Sequence, residues 1–231
     1  MVLSVSSTEG CMDEREKRWV GEQIEPGGRP KAPGSLELLQ RFVNTWNHDF
    51  PAEWDRLGTD EKARSWLVSK RLLSAQAPIS ARDAAWLREF REAVRELAAP
   101  NQGRAPEPAA VRIVRDASRK ATLLVDLDAS GRTMLEPARS GVLGAVATLL
   151  GILHEAQVSG AWSRLKACRQ CGYAFYDRSK NQSAAWCAMS ICGNRTKNRA
   201  YRQRRSRGEP QDRADRPAAS SARRAGGSTN E

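Results

Sequence analysis

Near the C-terminus, Cys168 and Cys171 are followed by Cys187 and Cys192 in the spacing C-x2-C-x15-C-x4-C. A segment this short cannot bury a core large enough to fold on its own, so whatever joins these four thiols decides its structure. Structural Zn²⁺ prefers a tetrahedron of thiolates, and a two-residue gap lets one knuckle turn offer two sulfurs to the same ion. The spacing therefore predicts a single structural zinc on Cys168, Cys171, Cys187 and Cys192. Such an ion supplies roughly 10–16 kcal/mol of folding energy at neutral pH. Four protein ligands leave no position for a catalytic water, which argues against hydrolytic zinc chemistry. Two unrelated thiol pairs or a redox C-x-x-C are the alternatives, and the surrounding chain lacks the βαβ setting of a thioredoxin-like motif. The fifth cysteine, Cys11, stands alone in a polar stretch.

Charge is concentrated on the same segment. Residues 161–207 hold twelve Lys or Arg against the single acid Asp177, which equals the whole formal net charge of +11. The rest of the chain is balanced, so the surplus points to a polyanionic partner for this module, nucleic acid first among them. A helix expected from about Asn194 to Arg207 carries Arg195, Lys197, Arg199, Arg202, Arg204, Arg205 and Arg207. Arg195, Arg199 and Arg202 share one side at i, i+4, i+7 spacing, fit to reach phosphates or base edges. The bland alternative is a solvated helix that offsets the negative charge of a thiolate-bound zinc.

Upstream, the pattern is helical. Residues 1–34 read as a flexible arm crowded with Pro and Gly at its end. Leu36, Leu39, Phe42 and Val43 then recur at helical spacing, with a break at Pro51. A helix capped near Thr59 or Asp60 carries Ala63, Trp66 and Leu67, and Ser80 with Asp83 forms a capping-box signature before Leu87, Phe90, Val94 and Leu97. Ala110, Ile113, Val114 and Ala117 mark a further amphipathic helix. The period then changes over 122–127 and 133–135, which read as a hairpin, before an apolar helix over 142–153. The uncharged run 140–154, about fifteen residues, is short of the roughly twenty that span a bilayer. No membrane association is expected, and the lack of a secretory signal and of a disulfide framework points to the cytoplasm.

Within the cysteine module, Gly172 follows the first pair where a positive φ would ease the knuckle. Tyr173, Phe175 and Tyr176 read as an aromatic strand, residues 177–183 as a polar turn, and a small hairpin is expected between the ligand pairs. Residues 208–231 read as a disordered tail.

The stretch from Cys168 to Arg205 resembles the CGNR zinc finger, whose namesake run is matched by Cys192, Gly193, Asn194 and Arg195. Tyr176, Asp177, Ser179, Trp186 and Cys187 also stand where that family's pattern has them; the first ligand pair is closer together than is common there. FVNTWN at residues 42–47 is similar to the helical ABATE domain that precedes such fingers in bacterial stress-induced transcription regulators. The resemblance implies DNA binding and gene regulation.

His48 and His154, the only histidines, lack a partner motif and read as structural. Asn44, Trp46, Asn47, His48 and Asp49 read as a helix terminus and turn, with a ligand pocket as the alternative. No Walker A or GxGxxG run is present, and no catalytic constellation is visible, so an enzyme is not expected. The resulting expectation is a mainly α domain over 35–158 with one small β-hairpin, separable from a zinc-stabilised finger of β-hairpin plus helix over 163–207. That finger would bind double-stranded DNA in a cytoplasmic, nucleoid-associated regulator. A homodimer or protein partner through the helical domain is carried as a further reading, and a protein-interaction finger or an RNA-binding factor are the alternative functions.

Overall fold

The computed structural model describes residues 28–207; the first 27 residues of the expected arm, Cys11 and the tail from Gly208 lie outside them. Helix α1 (Leu36–Val43) buries Leu36, Leu39, Phe42 and Val43. Helix α2 (Asp60–Ser69) begins where the Thr59 hydroxyl accepts the Lys62 N–H, and it buries Ala63, Trp66 and Leu67. In α3 (Ala81–Glu96) the expected capping box is present in both directions between Ser80 and Asp83. That box satisfies two donors at the helix start that would otherwise lack partners. Phe42 meets Trp66 and Phe90 at ring-centroid distances of 5.8 Å, which fixes α1, α2 and α3 around one aromatic cluster.

Helix α4 (Pro108–Lys120) packs mainly on α3 and buries Ala110 and Ala117. Strands β1 (Leu123–Leu127) and β2 (Thr133–Pro137) pair antiparallel, with Val125 opposite Leu135. The hairpin rests on α5 (Gly141–Val158), with the Leu123 and Leu135 side chains beside Gly151. Helix α5 has eighteen residues and is apolar enough to cross a membrane by length and composition. Ten of its residues are buried in the protein, as expected of a helix apolar on all sides that forms the middle of a core. His154 lies exposed on it.

The cysteine segment adds strands β3 (Leu165–Ala167) and β4 (Ala174–Tyr176), paired antiparallel with Lys166 opposite Phe175. This hairpin flanks the first cysteine pair, whereas the sequence suggested a hairpin between the two pairs. Geometry explains the difference, because the Cys168–Cys171 knuckle is itself the reversal that joins β3 to β4. A π-helical turn (Met189–Gly193) then leads into helix α6 (Asn194–Ser206). The chain falls into two compact units that divide between Arg195 and Thr196. The helical segment and the cysteine knuckle both lie in the first of these units. The second unit, as far as it is described, is the helical run from Thr196, in which Lys197, Arg199, Arg202, Arg204 and Arg205 are all exposed.

Candidate metal centre

The four cysteines are brought together and all are buried. Their sulfurs lie within 4.8 Å of one another. Cys171 and Cys187 Sγ are 3.7 Å apart, Cys187 and Cys192 3.6 Å, and Cys192 and Cys171 3.7 Å. Zn–S bonds of about 2.3 Å place tetrahedral sulfurs about 3.8 Å apart, which these spacings match. A disulfide needs about 2.05 Å, so the cluster is not a pair of disulfides. Among themselves the four thiols cannot all ionise. A hydrogen bond from Cys171, helped by one from Cys187, pushes Cys168 down. Interaction with Cys168 pushes Cys171 and Cys187 up, and burial pushes Cys192 up. A divalent cation at the centre removes that conflict by stabilising every thiolate at once.

Local structure sets each ligand. The Cys168 N–H donates to the Tyr173 carbonyl and the Gly172 N–H to the Cys168 carbonyl, both at 2.9 Å, closing the knuckle. Gly172 takes φ +71°, as its position in the sequence suggested, and a Cβ there would lie 2.9 Å from Cε1 of His48. Cys192 is held in the π-helical turn by its N–H to the Ala188 carbonyl at 3.0 Å. Tyr173, Phe175 and Ala188 pack with the cysteines in a small apolar cluster, with Ala184 and Trp186 against it.

The loop between the ligand pairs is organised by a buried ion pair. Lys166 Nζ lies 2.8 Å from Asp177 Oδ2, with side chains 2% and 0% exposed. Asp177 also accepts the Ser179 N–H at 2.9 Å and the Ala184 N–H at 3.0 Å, and Lys166 donates to the Gln182 carbonyl. Burial pushes the Asp177 carboxyl up, but Lys166 and these donors outweigh it and hold it well below the usual carboxylate range.

The polar cluster after α1 proves to be the seat of the knuckle. Asn44 clamps the Ala174 backbone, donating to its carbonyl at 2.8 Å and accepting its N–H at 2.7 Å. Buried Gln40 donates to the same carbonyl at 3.2 Å. The His48 N–H donates to the carbonyl of the ligand Cys171 at 2.9 Å. From α3, Arg95 donates to the carbonyls of Val43 and Trp46 at 2.8 Å each and to that of Gly172. Asn101 reaches the carbonyls of Trp162 and Leu165, both at 2.7 Å. Glu92 supports Arg95 at 2.9 Å; burial pushes its carboxyl up, but the His48 ring and the Arg95 and Arg91 charges hold it well below the usual range. Gln40, Arg95 and Asn101 were not picked out from sequence, and Asn44 was named only within a run read as a helix end with a ligand pocket as the alternative. The only signal was the unusual polarity of residues 44–49.

Arg195, expected to face a polyanion, is paired with Asp49 Oδ2 at 2.7 Å while remaining half exposed. The arm was expected to extend to residue 34, yet Ala32 is buried and its N–H donates to Gln40 Oε1 at 2.8 Å. Arg29 lies against the third ligand, donating to the carbonyls of Cys187 and Trp186.

Two family models match the chain. Residues 36–158 match ABATE, described as "Putative stress-induced transcription regulator", and residues 164–205 match the CGNR zinc finger. No curated protein matches the chain. With the finger match, the buried tetrad is a structural zinc site held by Cys168, Cys171, Cys187 and Cys192.

Proposed function

The chain belongs to the ABATE family and carries a CGNR zinc finger, and on that premise we propose that it is a transcription regulator that binds double-stranded DNA through helix α6. The observation that carries this reading is the exposed, acid-free run that starts four residues after the last zinc ligand. Residues 196–207 hold Lys197, Arg199, Arg202, Arg204, Arg205 and Arg207 and neither Asp nor Glu. A zinc centre with four thiolates carries about two negative charges, so the six bases of this run far exceed what it can neutralise. The surplus suits a phosphate backbone, and exposed guanidinium groups on a helix suit a groove. Zinc has a scaffolding role here and supplies folding energy; the protein side chains make the contacts. The reading places the protein in the cytoplasm with the nucleoid.

The test is a salt titration of duplex binding by wild type and by Arg199→Ala with Arg202→Ala. Both proteins should hold one zinc per chain, and each lost phosphate contact should flatten the slope of log K against log salt by about 0.9. A lost base contact should instead relax sequence preference at a cost of about 1–3 kcal/mol. Wild-type affinity and slope in the zinc-loaded double variant would overturn the reading in favour of a protein-interaction finger. Preference for single strands or loops would favour RNA.

A further inference from the structure

The segment that delivers the third ligand has no regular secondary structure, since residues 182–188 belong to neither helix nor strand. No ladder fixes Cys187, so its position depends on main-chain and side-chain contacts that reach the loop from elsewhere. Asp177 and Lys166 hold its beginning through Ala184 and Gln182, and the Arg169 N–H reaches the Ala185 carbonyl at 3.2 Å. At the ligand itself the contact comes from far upstream. Arg29 Nε donates to the Cys187 carbonyl at 2.6 Å, and its Nη2 donates to the Trp186 carbonyl at 3.0 Å. The same guanidinium stands 4.6 Å from the centroid of the Phe175 ring, so it lies between β4 and the ligand loop.

Arg29 is itself anchored. Three residues later Ala32 is buried and tied to Gln40, whose amide nitrogen reaches Ala174 of β4 at 3.2 Å. Between them, the Lys31 carbonyl accepts from Arg178 Nη2 at 3.3 Å. Residues 29–32 therefore cross the finger with both ends fastened. They precede the segments matched by the two family models, residues 36–158 and 164–205.

We propose that residues 29–32 form a strap that closes the Cys187 loop over the zinc centre, with Arg29 as a positioning residue that governs how fast the metal leaves. The physical basis is threefold. A planar guanidinium can bridge two successive carbonyls, which a single ammonium cannot do with the same geometry. Stacking on Phe175 fixes its plane. Its positive charge sits beside a ligand of a negatively charged centre, where groups outside the ligand set tune metal retention. Cys187 is the ligand whose backbone the strap holds, so it is the first to come free when the strap is lost.

The inference rests on the zinc site and not on DNA binding, and its test uses no nucleic acid. Zinc-loaded full chain is mixed with the chromogenic chelator 4-(2-pyridylazo)resorcinol and the rate of zinc transfer is followed. In parallel, iodoacetamide labelling is read at each cysteine by mass spectrometry. Arg29→Ala should speed zinc loss about tenfold or more and should raise labelling at Cys187 ahead of Cys168 and Cys171. Arg29→Lys, which keeps the charge but not the two-carbonyl bridge, should restore only part of the wild-type rate. Thermal melts with excess zinc should be close to wild type for both variants. Unchanged release and labelling would overturn the proposal. So would equal acceleration at all four cysteines with a large fall in the melting temperature, since that marks general destabilisation.

Discussion

Replacing Asp177 by Asn tests whether the loop between the ligand pairs depends on its buried carboxylate. The substitution keeps the size and shape of the side chain and removes one charge. Lys166, 2% exposed and 2.8 Å from the carboxylate, then has no counter-ion, and an NH₂ group replaces one of the two oxygens that accept donors from Lys166, Ser179 and Ala184. Removing one partner of a buried ion pair costs about 3–5 kcal/mol, because the remaining charge stays desolvated. For a unit of this size that lowers the melting temperature on the order of 10 °C. The assay is thermal and urea unfolding with excess zinc, beside a double variant in which Lys166→Met accompanies Asp177→Leu. Removing both charges together should recover much of the loss. The pH dependence carries a definite sign. The folded carboxyl titrates well below its unfolded value of about 3.9, so its contribution is full above that value and is lost as pH falls through the folded one. Wild type should therefore lose more stability than Asp177→Asn when both are taken from neutral into acid. A cost under about 1 kcal/mol with zinc content intact would refute the argument and mean that the Lys166 ammonium is neutralised or solvated in another way.

Chelation of zinc should weaken the helical segment as well as the finger, because Asn44, His48, Arg95 and Asn101 make hydrogen bonds that end on the cysteine segment. Amide hydrogen exchange should show faster exchange at His48 and Ala174 together, and protection retained at His48 after complete metal removal would contradict this. Gly172→Ala forces a side chain into φ +71° and against the His48 ring, so stability should fall by about 1–2 kcal/mol from the backbone alone. Adding His48→Ala should relieve only the steric part, a difference that zinc-saturated melting curves resolve. Asp49→Ala removes a partly exposed ion pair and should change stability by less than about 1 kcal/mol. It releases Arg195, and the salt slope of duplex binding should steepen by up to about 0.9 if that guanidinium then reaches a phosphate.

The sequence by itself determined what depends on neighbours a few positions apart. Cysteine spacing marked all four ligands, because a knuckle and a tetrahedron limit the gaps between them. The Ser80 capping box, the apolar stripe of α1 and the β1–β2 hairpin were equally legible, since each is a repeat or a short-range hydrogen-bond pattern. Gly172 could be read because a knuckle turn asks for a positive φ at that point. Tertiary structure alone decided what the polar residues are for. Asn44 finds its partner 130 positions away and Arg29 finds Cys187 at a separation of 158, and no period or motif encodes such pairings. His48 and Asp49 read as a helix end, with a ligand pocket as the alternative, yet one packs on the knuckle glycine and the other pairs with Arg195 of the CGNR run. The cause is the metal module's small size. Its backbone groups outnumber those its own two short strands can satisfy, so the remainder take donors and acceptors from the helical segment, and buried polar groups left without partners would be costly. Residue types along the chain show that such groups exist, and only the fold brings each to the carbonyl it serves.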